Sequence, residues 1–103
     1  MFTANREEVV KVLKSKRTVY KRYGVKSLAL FGSAARNSLR KKSDVDILVE
    51  FMPDMTPSLL DFAGMQLEMS SLIGREAQLH TPPMLSRYCR HEVLKEARLL
   101  HAA

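Results

Sequence analysis

The chain has a single cysteine, Cys89, so it cannot close an internal disulfide, and no second cysteine or spaced histidine pair completes a zinc set. Cys89 reads instead as a small buried residue. No apolar run approaches the roughly 18 to 20 residues needed to span a bilayer, and the opening Met1-Phe-Thr-Ala-Asn-Arg6 lacks the apolar core of a signal peptide. A cytoplasmic protein without a membrane partner is expected. Aromatic residues are sparse, at four Phe and three Tyr, and no nucleic-acid-binding motif is recognisable, which argues against nucleic acid as the partner. Without an internal repeat or linker, the 103 residues read as one domain, 1–103, able to bury one modest core.

What is present is ordinary for a folded domain: 46% hydrophobic and 27% charged residues, which excludes disorder as the default reading. The net charge of +6 favours an anionic partner such as a nucleotide, a nucleic acid or an acidic protein face, and by itself does not choose among them.

Asn5 with Glu8 three residues later has the form of a capping box, and Val9, Val12, Leu13, Val19 and Tyr20 follow at helical intervals until Gly24. One helix over about 6–22 is predicted, with Lys11, Lys14, Lys16, Arg17, Lys21 and Arg22 as its solvated face. Val25 to Phe31 is a short apolar run ending at Gly32, as for a buried strand, and Asp44 to Phe51 is a second strand with β-branched residues. Thr56-Pro57 suits an N-cap and first helical position, and Phe62, Met65, Met69, Leu72 and Ile73 form a helical stripe closed by Gly74. That stripe, methionines included, reads as core. A brief strand over 76–80 and a last helix over about 84–101, carrying Leu85, Cys89, Leu94, Ala97 and Leu100, complete the order α-β-β-α-β-α. The fold class is α+β, a small mixed sheet with helices packed on it: strands one and two antiparallel, strands two and three parallel across the intervening helix.

An antiparallel first pair places Gly32-Ser33 beside Asp44, at one rim of the sheet. Asp44 and Asp46 are two apart on a strand, so they project from one face about 6.5 to 7 Å apart at the backbone and can converge on the same cations. Paired carboxylates repel unless exposed or neutralised, and Mg²⁺ takes one or two carboxylates together with waters and phosphate oxygens. Such a pair suits phosphoryl or nucleotidyl transfer on Mg²⁺ or Mn²⁺. Gly32 carries no side chain to hold a phosphate off the backbone, and Ser33 adds a hydroxyl and an N–H at a helix mouth, so the β and γ phosphates of a nucleoside triphosphate are assigned there. Arg36, one turn on, is the preferred phosphate clamp over Arg40, Lys41 and Lys42. Gly-Ser after a strand is common, and so is Asp-x-Asp on an exposed strand. Both halves together, with ten residues between Ser33 and Asp44 and Ser43 just before the first aspartate, are hard to explain as a turn and a surface strand.

With Phe31-Gly-Ser-Ala-Ala-Arg36, Ser43-Asp-Val-Asp-Ile-Leu-Val-Glu-Phe51 and Leu72-Ile-Gly-Arg-Glu76, the sequence resembles the nucleotidyltransferase superfamily that includes DNA polymerase beta. More closely it resembles the stand-alone minimal nucleotidyltransferases, the MNT proteins, over nearly the whole chain. The resemblance implies a polymerase beta-like nucleotidyltransferase fold, a nucleotide donor that is ATP in the expected case, a divalent metal on Asp44 and Asp46, and transfer of a nucleoside monophosphate to an acceptor hydroxyl. It also implies a protein partner, since MNT proteins of this size are often antitoxins of HEPN-type ribonuclease toxins and some adenylylate the toxin.

The chain departs from that family at the third carboxylate. Where the family has Gly-Arg-x-Val-Asp-Leu-Val-Thr-Pro, this chain has Gly74-Arg-Glu-Ala-Gln-Leu-His-Thr-Pro82, so Gln78 stands at the aspartate position. A neutral amide cannot take the acceptor's proton, and loss of a general base can cost about 10² to 10⁴ in rate. Glu76 or His80, on the same strand face, could substitute, or the substrate could lose its proton through water. Asn37 also follows Arg36 where the family commonly has glycine, a smaller change because Asn tolerates left-handed turns. The expected function is therefore a metal-dependent transferase, with a degenerate nucleotide-binding antitoxin that neutralises its partner by binding as the alternative.

Overall fold

The computed structural model describes residues 3–35, 44–55, 57–85, 91 and 95–102, with only the backbone of residues 33 and 34. Helix α1 (Arg6–Lys14) starts where the sequence says it should: the Asn5 side chain accepts from the Glu8 N–H at 3.0 Å. Glu8 reaches back one residue further than in a capping box, its Oε2 accepting from the Ala4 N–H at 2.7 Å. The single helix expected over 6–22 is two helices. α1 closes at Ser15, whose hydroxyl donates to the Val12 carbonyl at 2.6 Å, Lys16 is non-helical at φ −103° and ψ 40°, and α2 (Arg17–Tyr23) then runs to Gly24 at φ 73°. At the break the Leu13 carbonyl accepts from the Lys16 N–H at 3.3 Å, in place of the next helical N–H, and also from the hydroxyl of the fully buried Tyr20. Burial pushes the Tyr20 phenol well above its ordinary pKa, so it stays a donor.

Strands β1 (Val25–Phe31), β2 (Val45–Phe51), β3 (Ala77–His80) and β4 (Arg98–Ala102) form a sheet in the order β3-β2-β1-β4. β1 pairs antiparallel with β2 and β4, and β2 pairs parallel with β3, the mixed sheet of an α+β domain as the sequence predicts. Between β2 and β3 runs α4 (Leu59–Ile73), capped by the Ser58 hydroxyl accepting from the Asp61 N–H at 3.0 Å and ended by Gly74 at φ 67°. The cap is thus Ser58, not the expected Thr56, which lies outside the described residues. Pro57 falls before the helix rather than at its first position.

The predicted last helix over 84–101 is corrected at both ends. Pro82–Met84 is a 3₁₀ turn and Arg98–Ala102 is strand β4, so the order does not end in a helix; residues 91, 95 and 96 are helical. Cys89 and Leu94 lie outside the described residues. β4 covers the second edge of β1, with a bulge between Leu28 and Ala29 that lets Leu100 enter the core. The spacing of Ala97 and Leu100 fits a helix locally, but satisfying β1's backbone overrides it.

Val45, Ile47 and Val49 of β2 and Leu28 and Leu30 of β1 pack with Val9, Leu13, Tyr20, Met65, Met69 and Ile73 in one buried cluster. The methionines are core, as their spacing predicts. Met69→Ala should cost about 2 to 5 kcal/mol of stability, read from urea denaturation; a loss under about 1 kcal/mol would mean that the site collapses around the deletion. Lys11, Lys14, Arg17, Lys21 and Arg22 are exposed, whereas Arg6 at the start of α1 and Lys16 between the two helices are half-buried. Arg22 crosses to α4, its Nη2 donating to both Glu68 oxygens at 2.8 Å. Among the described residues no helix is long and apolar enough to cross a membrane.

Candidate nucleotide site

The rim is built from the ends of three strands. Phe31 lies opposite Asp46 in the β1–β2 pairing, and Asp46 lies opposite Gln78 in the β2–β3 pairing, so these three residues form one row across the sheet. Register partners share a face, and with period two along β3 the same face carries Glu76 and His80. Immediately after Phe31 the chain turns through Gly32 at φ 68° into the four-residue helix α3 (Gly32–Ala35). A Cβ at Gly32 would sit 2.7 Å from Asp46 Oδ2, closer than carbon and oxygen can approach. The left-handed backbone favours glycine there, and any side chain in its place would have to displace the Asp46 carboxylate.

Asp46 is 34% exposed at its side chain, open enough to be reached from solvent. Its other oxygen, Oδ1, faces His80 Nε2 at 3.5 Å. The His80 ring stands edge-on to Phe31, centroids 5.1 Å apart and planes at 72°. Asp44 is exposed just before β2. Strand alternation, extended one residue before β2, predicts the same side for it as for Asp46. The Gln78 amide does not turn to Asp46: its Nε2 donates to Glu76 Oε1 at 2.9 Å. Glu76 is exposed at the strand entrance, so His80 is the alternative base that the structure brings to Asp46 and Glu76 is not.

Gly32, Asp46, Gln78 and His80 are therefore assembled at one place, with Asp44 at its outer edge. The Ser33 backbone follows Gly32 in α3, while Arg36 lies outside the described residues. Among the described residues no three His, Cys, Asp or Glu side chains converge as a ready-made metal cage. Such a rim can hold a charged ligand that brings donors of its own. Phe31 is the contributor hardest to see in the sequence, where it reads as the last core residue of a strand; the clue is its register opposite Asp46.

The nucleotidyltransferase domain family matches residues 7–100, nearly the whole described span. The chain belongs to that family. Two curated relatives carry the name protein adenylyltransferase. A protein of Methanocaldococcus jannaschii provisionally named a protein adenylyltransferase is 46% identical over 66 residues, 64% of this chain and 65% of that one. The protein adenylyltransferase MntA of Thermococcus cleftensis is 34% identical over 91 residues, 87% of this chain and 90% of its own. Among solved structures, a chain provisionally named a minimal nucleotidyltransferase superposes with a TM-score of 0.69 at 33% identity, covering 85% of this chain and 92% of that one. A chain from the complex of the AMPylated HEPN toxin of Shewanella oneidensis with its MNT antitoxin has a TM-score of 0.65 at 15% identity, covering 91% and 73%; at that identity the likeness is one of fold.

Proposed function

We propose that this nucleotidyltransferase domain moves AMP from ATP onto a hydroxyl of a partner protein, the partner being a HEPN-type toxin. The observation that carries the reading is the contact between the two halves of the motif: the Gly32 backbone lies against the Asp46 carboxylate with no space for a side chain. A triphosphate laid on the Gly32-Ser33 backbone would thus meet Asp46 directly. The names of the Thermococcus cleftensis relative and of the Shewanella oneidensis complex support the choice of AMP and of a toxin partner.

The donor set fits a divalent ion. Two carboxylates on one strand side, without a protein cage around them, suit Mg²⁺ or Mn²⁺, which complete their shells with waters and phosphate oxygens. Asp44 and Asp46 would hold the ion, whose charge offsets the negative charge of the triphosphate and the departing pyrophosphate. In the reaction the acceptor oxygen bonds to the α-phosphorus, the bond from that phosphorus to the bridging oxygen of the β-phosphate breaks, and the hydroxyl proton passes to a base or to water. Gly32 keeps the phosphates close to the backbone, and Arg36, on the sequence reading, clamps them.

Incubation with α-labelled ATP, Mg²⁺ or Mn²⁺ and the protein encoded beside it in its genome tests this, with label on the partner as the expected result. Absence of label, together with neutralisation of the partner that survives Asp44→Ala and Asp46→Ala combined, would replace transfer by simple binding.

A further inference from the structure

His80 Nε2 is buried and, among the described residues, has no hydrogen-bond partner. Buried polar nitrogens are paired in nearly all folded proteins, so an orphan calls for a missing partner such as an ion. The distance to Asp46 Oδ1, 3.5 Å, is too long for a good N–H···O hydrogen bond. It does match two ligands of one ion: donors each about 2.1 Å from a metal lie about 3.0 Å apart at an octahedral right angle and about 3.4 Å apart at a tetrahedral one. The rim packs on the pair from both sides. Phe31 packs edge-on against the imidazole, and the carboxylate's Oδ2 occupies the space that a Cβ at Gly32 would need. Gln78, the register neighbour of Asp46, is turned away to Glu76 and leaves the space between Asp46 and His80 unclaimed by its amide.

We propose that His80 Nε2 and Asp46 Oδ1 together ligate the divalent ion of the site, and that this nitrogen gives the chain a preference for a first-row transition ion, Mn²⁺ or a later one, over Mg²⁺. Imidazole suits transition ions, whereas Mg²⁺ takes oxygen donors and gains little from nitrogen. The inference rests on the nucleotide-site reading above. It supplies a protein ligand at the side of the site where Gln78 offers no charge.

Metal-free full-length protein, loaded with Mn²⁺ and a non-hydrolysable ATP analogue, should show ¹⁴N coupling to manganese in pulsed EPR. His80→Gln should lose that coupling and about tenfold or more of the Mn²⁺ affinity, while Mg²⁺ affinity, measured by competition, changes less than about threefold. The wild-type spectrum needs no variant to fold, and circular dichroism checks the variant. Mn²⁺ bound without nitrogen coupling, coupling retained in His80→Gln, or no Mn²⁺ uptake by the wild type overturns the proposal. If Asp46→Asn releases Mn²⁺ while His80→Gln does not, the nucleotide site stands and only the histidine ligand fails. If Asp44→Asn and Asp46→Asn both keep metal and nucleotide, the site reading itself fails.

Discussion

Asp46→Asn is expected to lower AMP transfer by about 10³-fold, equivalent to about 4 kcal/mol of transition-state stabilisation, while leaving the fold intact. The substitution keeps the shape of the side chain, so the packing beside Gly32 is retained, and it removes the charge that would hold the ion. Stability should not fall with activity. Asp46 is partly exposed and shares a strand side with Asp44, so removing one of two like charges relieves repulsion, and Tm should stay within about 4 °C of wild type or rise slightly. Asp44→Asn should fall by a similar factor, and the double variant by far less than the product, because two ligands of one ion act as a unit. The comparison uses label transfer to the partner and a thermal melt on each variant. Activity within tenfold of wild type for Asp46→Asn would remove Asp46 from the site.

The parts of this structure that a reader of the sequence can see are those set by local chemistry. β1 runs from Val25 to Phe31 as predicted, because an apolar run is bounded by Gly24 and Gly32, both in left-handed conformations that other residues avoid. The end of α4 at Gly74 is legible for the same reason. The break at Ser15-Lys16 is not, since Val9, Leu13 and Tyr20 all reach one core and a continuous helical period passes through the gap without contradiction. β4 is hidden for a different reason: its pairing answers to the free edge of β1, some seventy residues away in sequence. At the rim, antiparallel pairing alone predicts that Gly32 lies near the aspartates. The reach of His80 back to Asp46, against its register partner Leu48, depends on ring geometry that strand parity does not contain.

Gly32→Ala should be damaging to stability and to activity, and its cost should have two separable parts. A non-glycine residue at φ 68° costs about 1 to 2 kcal/mol, whatever surrounds it. The added Cβ also meets Asp46 Oδ2 at 2.7 Å, so either the carboxylate swings away or the β1–β2 rim opens. AMP transfer should then drop as in Asp46→Asn, because the carboxylate is displaced rather than absent. In an Asp46→Ala background the oxygen is gone and the nearest atom of residue 46 is its Cβ at 3.5 Å, an ordinary contact. Only the backbone part should remain there. Urea denaturation of the four proteins in this cycle should give a coupling of about 1 to 3 kcal/mol, with Gly32→Ala cheaper when Asp46 is already alanine. Equal costs in both backgrounds would mean that Asp46 does not rest on Gly32 in solution, and the two halves of the motif would not share a site.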